Sequence, residues 1–164
     1  MEQGTTPLKR DKNLVPLSRE HHFGLLFCWK LRQGLKNKTD LNAMQGYVKY
    51  FWNQILFPHC QEEEWLLQRF LVPNDILRVR IEEEHRHLHW VVDSICDGKR
   101  LVPEQFQTLE QYLVSHIRWE ERELFPYLQK VVPQEDLEEA GKLMEQHHQT
   151  ETKVDNFTPE FWKE

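Results

Sequence analysis

The sequence predicts an all-α fold, an antiparallel up-and-down four-helix bundle with a short fifth helix. Apolar residues recur at helical spacing through four long segments, and prolines, glycines or short polar turns separate these segments. Runs of alternating β-branched residues, which indicate strands, are scarce. Long amphipathic helices joined by short connections pack as antiparallel neighbours, and such a bundle can build a site in its core from facing side chains.

The first two helices follow from their boundary residues and apolar stripes. The first is predicted to begin at Ser18, a common N-cap residue, and to end near Gly34 or the turn at residues 37–39. The second is predicted to be a long helix over about residues 40–71 that stops before Pro73. The stripes of the two helices include Leu25, Cys28, Leu31, Leu35, Met44, Tyr47, Val48, Phe51, Trp52, Ile55, Leu56, Leu66 and Leu67.

Proline and glycine mark the remaining helices. The third is predicted over residues 74–97, with Gly98 as its stop. Pro103 suits the first turn of a fourth helix, and Pro133 opens a shorter fifth. Inside the second and fourth patterns, Pro58 and Pro126 each remove a backbone hydrogen bond, so a kink is predicted at both.

Length and charge limit the classes of function. A chain of 164 residues suits one domain, expected at residues 18–150 between an N-terminal arm (1–17) and a C-terminal tail (151–164) that packs on the bundle through Phe161 and Trp162. The net charge of −6, with interleaved signs, offers no basic stripe for nucleic acid. Since no apolar run approaches the ~20 residues of a membrane span and no signal-peptide core is present, we expect no membrane role and a cytoplasmic protein.

The three cysteines, Cys28, Cys60 and Cys96, do not point to a structural framework. They are odd in number and none stands in a C-x-x-C spacing, which argues against both a disulfide scaffold and a thiolate zinc site. We expect them to be small buried residues. Nine histidines in so short a chain are the more informative feature.

Spacing separates these histidines into two classes. Residues four apart on a helix share a face, whereas residues two apart point in nearly opposite directions. The core-facing stripes carry one group from each of the four long helices: His21, His59 with Glu63, His85 with His89, and His116 with Glu120. His22 could replace His21 if the first helix starts in another phase, and Glu121 competes with Glu120. His87, His147 and His148 are expected to be solvated.

The energy of burial favours a metal for this set. A single histidine on an apolar face is more often a hydrogen-bonded core residue than a ligand. Five imidazoles and two carboxylates near one level of a small bundle cost several kcal/mol per charged group unless they are paired or coordinated. Coordination removes that cost, so metal binding is the prediction for the whole set.

The order of these motifs resembles the hemerythrin-like (HHE cation-binding) domains. A histidine in the first helix is followed by H-x-x-x-E, H-x-x-x-H and H-x-x-x-E in the next three, over about residues 18–130. The resemblance implies a non-haem di-iron centre that binds O₂ or NO for sensing, scavenging or storage. It further implies terminal ligation by the five histidines, His21, His59, His85, His89 and His116, and bridging by Glu63 and Glu120.

Two alternatives accompany this interpretation. Zinc or manganese would also bind a mixed imidazole and carboxylate set, and any of these metals needs neutral imidazoles, so affinity should fall below a pH of about 6.5. The second alternative is a di-iron oxidase or a peroxide- or NO-consuming enzyme with ferritin-like E-x-x-H spacing, for which Glu82 with His85 and Glu145 with His148 are the matching pairs. The glutamates four and five residues after His116 also differ from the single aspartate of classical oxygen carriers.

Overall fold

A computed structural model of the chain describes residues 9–148 and 154–163, without the side chain of His148. Throughout these ranges the regular structure is helical and no strand occurs, so the all-α prediction is confirmed. The α-helices are α1 Val15–Lys36, α2 Leu41–Phe51, α3 Phe57–Phe70, α4 Ile76–Cys96, α5 Pro103–Trp119, α6 Phe125–Val131 and α7 Gln134–His148.

The first helix begins earlier than predicted. It starts at Val15 with Leu14 in the N-cap position, so the expected Ser18 cap is wrong. Leu14 and Leu17 are fully buried, and Pro16 is tolerated in the first turn because its missing N–H would have no partner there. Burial of these leucines therefore brings the chain onto the core before Ser18 is reached.

Aspartate side chains begin two of the other helices. Asp40 accepts a hydrogen bond from the backbone N–H of Asn42 at the start of α2. Asp75 accepts from the N–H groups of Leu77 and Arg78 at the start of α4. Each carboxylate satisfies backbone donors that have no partner inside the helix.

Two π-helical turns divide the predicted second and fourth helices. The first turn spans Trp52–Leu56 between α2 and α3, and the second spans Glu120–Leu124 between α5 and α6. Both are followed by Phe-Pro, so Pro58 and Pro126 fall in the first turn of the next α-helix. A proline cannot donate to the helix ladder, and the expected disturbance takes the form of a local change in helix type.

The core consists of two apolar clusters, and buried histidines lie between them. On α1, His21 lies between Leu17 of one cluster and Phe27 of the other. On α4, His85 lies in the same way between Ile81 and Leu88. The fold thus places these two histidines at one level of the interior, between the two apolar clusters.

Helix contacts and the tail complete the arrangement. Helix α1 packs mainly on α5, which also packs on α4, while α4 contacts both α2 and α3. Phe161 is buried, and the rings of Phe161 and Trp162 both lie 5.5 Å from the ring of Tyr47, as expected for a docked tail.

The antiparallel helix order and the domain boundaries stay predictions. No helix in the described ranges has both the length and the apolar character that crossing a membrane requires.

Candidate metal centre

Six of the seven predicted ligands converge into two groups that share one residue. Potential ligand atoms of His21, His59, Glu63 and Glu120 all lie within 4.8 Å of one another. Those of His85, His116 and Glu120 meet the same limit. Because Glu120 belongs to both groups, its carboxylate joins the two candidate metal sites.

The histidines direct Nε2 toward the carboxylates. His21 Nε2 lies 2.7 Å from Glu120 Oε2 and 3.8 Å from Glu63 Oε1, and His85 Nε2 lies 3.6 Å from Glu120 Oε1. The Nε2 atoms of His59 and His116 contact the carboxylates one turn further along their own helices, those of Glu63 and Glu120. The i, i+4 spacing read from the sequence therefore brings each pair together.

These central atoms are buried without hydrogen bonds. Glu63 and Glu120 are fully buried, and neither oxygen of either carboxylate has a hydrogen-bond partner. The same holds for Nε2 of His21, His59 and His85: these atoms approach the carboxylates closely, but not in hydrogen-bond geometry. Buried polar atoms are almost always satisfied, so a converging set of unsatisfied ones indicates that another species completes it.

Four further glutamates hold the outer nitrogen, Nδ1, of each histidine. Glu20 Oε2 lies 2.9 Å from His59 Nδ1, and Glu64 Oε1 lies 2.8 Å from His85 Nδ1. The other two links join Glu84 Oε1 to His116 Nδ1 at 3.0 Å, and Glu121 Oε1 to His21 Nδ1 at 2.7 Å. A protonated Nδ1 that donates to a carboxylate leaves the Nε2 lone pair free to bind a metal and fixes the orientation of the ring.

Together the four links form a closed ring around the bundle, which we call the glutamate ring. Helix α1 supplies a glutamate to α3, α3 to α4, α4 to α5, and the π-helical turn after α5 returns one to α1. Sequence reasoning missed this role. The sequence does carry a signal for it, because each glutamate of the ring is the chain neighbour of a candidate ligand: Glu20, Glu64, Glu84 and Glu121. One residue along a helix is a rotation of about 100°, which turns the neighbour toward the next helix.

The carboxylates favour protonated rings when no cation is bound. Burial acts to lower the pKa of His59, but Glu63 and Glu20 outweigh it and raise that pKa to about 10. Burial likewise opposes the rise in the pKa of His116, which Glu120 and Glu84 bring to about 9. Burial also opposes the rise in the pKa of His21, which Glu120 and Glu121 bring well above the usual range for histidine. The pKa of His85 is raised well above that range against the effect of burial, first by Cys60 and then by Glu120 and Glu64.

The pKa values of two glutamates, Glu120 and Glu121, are shifted in the opposite direction, downward. Burial would raise the pKa of Glu120, yet contacts with His116, His21 and His85 hold it well below its ordinary value. Burial also acts to raise the pKa of Glu121, and its hydrogen bond with His21 is the main cause that lowers it to about 2. Positive charge at the histidines and negative charge at the glutamates therefore stabilise each other, and a bound cation would replace the protons.

His89 is the predicted ligand that the structure does not bring to the centre. Its side chain is 49% exposed, and its ring packs against Trp52 and Phe57 with centroid distances of 4.9 and 5.9 Å. His89 is one turn from His85, but its Nε2 lies 3.5 Å from Asp93 on the outer surface of α4. The second group therefore consists of three candidate ligands, His85, His116 and Glu120.

The alternatives left open by the sequence also have definite positions. His21 is buried in the centre and His22 is exposed. Glu120 lies inside, and Glu121 belongs to the glutamate ring. His87 and His147 are exposed, as expected, whereas the side chain of His148 lies outside the described part of the chain. For the ferritin-like spacing, Glu82 pairs with Arg78 at 3.0 Å and Glu145 is exposed.

A small cavity adjoins the centre. Its volume open to a water-sized sphere is about 10 Å³, which is the lower limit for one water molecule. Three histidines of the two groups line one part of it, and the rest is mainly apolar. The lining includes His21, His59, His116, Gly24, Phe51, Cys60 and Ile117.

The donor set fits a transition metal. Four imidazoles and two carboxylates suit borderline divalent ions such as iron, zinc and manganese, and the unsatisfied inner atoms are the ones that would bind. The outer glutamates supply the support that metal-binding histidines usually have. The geometry alone therefore indicates a cation centre without using any comparison.

Comparison with known proteins leads to the same chemistry. The family model of the hemerythrin HHE cation binding domain matches residues 77–164, just over half of the chain. No curated protein and no solved structure matches the chain significantly. The matched range contains His85, His116 and Glu120, which form the second ligand group. Because this family model matches more than half of the chain, the chain belongs to the hemerythrin HHE cation-binding domain family.

Proposed function

We propose that the chain is a non-haem di-iron protein of the hemerythrin type, which binds O₂ or NO for sensing, scavenging or storage. The observation that carries the proposal is the position of Glu120, fully buried, without hydrogen-bond partners and common to both ligand groups. A shared carboxylate is the expected link between two neighbouring ions. The antiparallel bundle and a cytoplasmic location belong to this proposal as well.

Each ligand group has its own part in the proposed centre. His21, His59 and Glu63 would hold one ion with Glu120, and His85 and His116 would hold the other. Two iron ions bound here would supply an open coordination position for a diatomic ligand. The mainly apolar side chains that line the adjoining cavity would keep bulk water from the centre.

The two groups differ in their number of protein ligands, and this difference supports binding of the diatomic molecule at the second ion. Three protein ligands serve the second group and four serve the first, since His89 lies on the outer surface. A metal ion with few protein ligands keeps positions for water or a small ligand. The apolar part of the cavity wall suits an uncharged diatomic molecule better than an anion.

The test is metal content followed by optical spectroscopy. The protein is purified anaerobically, its metal is quantified, and the spectrum is recorded before and after addition of O₂ and of NO. We expect two irons per chain and a reversible change in absorption. Zinc or manganese with no response to either gas would overturn the proposal.

Adjacent histidines give a matched control for this measurement. His21→Ala should reduce the iron content and the gas response, because His21 lies in the first ligand group. His22→Ala should leave both unchanged, because His22 is exposed. Equal effects of the two substitutions would mean that the proposed ligand group is wrong.

A further inference from the structure

The N-terminal segment, residues 9–14, is docked beside the candidate centre. Gln129 of α6 fixes the segment through three hydrogen bonds: its Oε1 accepts from Arg10 Nη1 and from the backbone N–H of Asp11, and its Nε2 donates to the carbonyl of Lys9. Leu14 is fully buried in the core. The sequence predicts that this segment belongs to an arm outside the bundle domain, and the structure gives it specific contacts with that domain.

Arg10 connects this segment to a metal ligand through one intermediate residue. Its Nη2 donates to Glu121 Oε2 at 3.0 Å and to the Glu121 carbonyl at 2.6 Å. The other oxygen of the same carboxylate lies 2.7 Å from His21 Nδ1. The guanidinium also lies over the Phe125 ring at 5.1 Å, and that ring stacks on His21 at 5.5 Å.

These contacts hold Glu121 in a single orientation. A guanidinium has fixed donor directions, so two bonds to one residue restrict both its carboxylate and its backbone. With Oε2 held by Arg10, Oε1 remains on His21 and does not turn toward the centre. Without Arg10, Glu121 loses these two bonds and is held less firmly on His21, so the direction of His21 Nε2 is less well fixed.

We infer that Arg10 is a positioning residue of the metal centre and that docking of the N-terminal segment and metal binding at His21 favour each other. The inference rests on the proposed function, because it requires a metal in the His21 group. Thermodynamic linkage makes the effect reciprocal: a segment that strengthens metal binding is itself held more firmly when the metal is bound. Metal loading is thereby converted into a change at the N-terminal surface.

The first test measures Co(II) affinity by competition with a chromophoric chelator. Arg10→Ala should weaken Co(II) binding about tenfold, as expected for loss of support to a ligating histidine. Lys12→Ala is the matched control, since it removes an exposed positive charge from the same segment, and it should leave the affinity within about twofold, as is usual for surface substitutions. In a Glu121→Gln background, Arg10→Ala should have little additional effect, because both substitutions break the same link.

The second test follows the segment itself by tryptic cleavage after Lys12. In the wild type, Co(II) should slow this cleavage about tenfold, and in Arg10→Ala it should change the rate little, in keeping with linkage. If Co(II) binds the wild type, but Arg10→Ala binds it equally well and cleavage ignores the metal, the inference is overturned and the proposed function stands. If the wild type binds no Co(II), both the inference and the proposed function are overturned. Circular dichroism of Arg10→Ala, with Arg10→Lys as a milder variant, separates either result from loss of folding.

Discussion

The carboxylate of Glu84 on α4 lies 3.0 Å from Nδ1 of His116 on α5, and this contact is one link of the glutamate ring. Arg80, one turn earlier on α4, donates to the other carboxylate oxygen of Glu84 at 2.6 Å. Burial acts to raise the pKa of Glu84, but His116 and Arg80 keep it below its ordinary value. Glu84 is therefore ionised and able to orient the ring of His116.

We expect Glu84→Gln to weaken metal binding by about tenfold to a hundredfold, the usual effect of removing support from a ligating histidine. The loss should concern the second ion, because His116 belongs to the group with His85. Stepwise titration of the metal-free protein with Co(II) measures the two affinities separately. Glu83→Gln is the control, since Glu83 is the exposed chain neighbour and should have no effect. A uniform loss at both sites would contradict the assignment.

Substitution of the buried His116 and of the half-exposed His89 tests the ligand set. His116→Ala should lower the metal content by about one ion per chain, because only two protein ligands would remain in the second group. His89→Ala should retain both ions, because its side chain is half exposed and packs on Trp52 and Phe57. Metal analysis of the two variants decides the matter, and loss of an ion from His89→Ala would restore His89 as a ligand.

The position of His89 also marks what the sequence could not provide. Period analysis located the helical segments and the i, i+4 pairs that reach Glu63 and Glu120, but not the π-helical turns that divide two of these segments. His89 follows His85 by one turn, but a stripe spans a wide arc of the helix, and spacing alone does not tell its buried centre from its edge. Two aromatic side chains from the α2–α3 region settle the position of its ring, and such a tertiary contact is not readable from one helix.

Spacing also could not decide between Glu120 and Glu121, which lie in the π-helical turn after α5. Spacing left both residues as candidates because each lies within reach of the His116 face. The glutamate ring places Glu121 on His21, a contact between residues 100 positions apart. Its partner Arg10 lies in a segment whose polar composition predicted no structure. Long-range hydrogen bonds of this kind leave no period in the sequence.

Metal binding should release protons, and the pKa shifts give the direction. Neutral imidazoles are required for coordination, whereas the pKa values of His59 and His116 rise to about 10 and 9 in the absence of metal. At pH 7 the incoming cation therefore displaces protons, and affinity should continue to rise up to pH 9 or 10 rather than level off near 6.5. Calorimetric titration with Co(II) in buffers of different ionisation enthalpy measures the protons released. An enthalpy independent of the buffer would contradict this expectation.

The same pKa shifts determine how the stability of the metal-free protein depends on pH. Histidines with raised pKa values stabilise the fold fully below their unfolded pKa of about 6.5, and this contribution is lost as the pH rises through about 9 and 10. Glu120 and Glu121, whose pKa values are lowered, contribute above their unfolded value of about 4.5 and lose that contribution in acid. Urea denaturation should therefore give the highest free energy of unfolding between about pH 4.5 and 6.5. A maximum above pH 9 would show that the rings are neutral in the metal-free protein.

Gly24 permits the close packing of α1 on α5 beside the centre. A Cβ at this position would lie 2.8 Å from Ile117 Cδ1, inside the buried wall of the cavity. Alanine favours helix over glycine by up to about 1 kcal/mol, but such an overlap costs about 1–3 kcal/mol, so Gly24→Ala should lower the free energy of unfolding by about 1 kcal/mol. In an Ile117→Val background the obstructing methyl is absent, and the same substitution should become stabilising. Urea denaturation of the four proteins tests this, and an unchanged cost in the valine background would contradict the packing account.

Lys30 and Asp155 join α1 to the C-terminal tail through a buried ion pair. Their Nζ and Oδ2 atoms lie 3.0 Å apart, with side chains only 8% and 4% exposed. The Tyr47 hydroxyl donates to the same oxygen of Asp155, and the Lys30 ammonium lies over the Trp162 ring at 4.0 Å. Removal of one partner leaves the other charge buried and unpaired, so Asp155→Ala should lower the free energy of unfolding by about 3–5 kcal/mol.

An exposed ion pair in the same tail provides the control. Glu160 pairs with Lys163, but both side chains are well exposed to solvent, at 42% and 67%. Solvent screens such a pair, and Glu160→Ala should cost less than about 1 kcal/mol. Urea denaturation should therefore rank the two variants clearly, with the larger loss for Asp155→Ala. Similar small losses for both would mean that residues 154–163 contribute little to the stability of the fold, in agreement with the tail boundary that the sequence predicts.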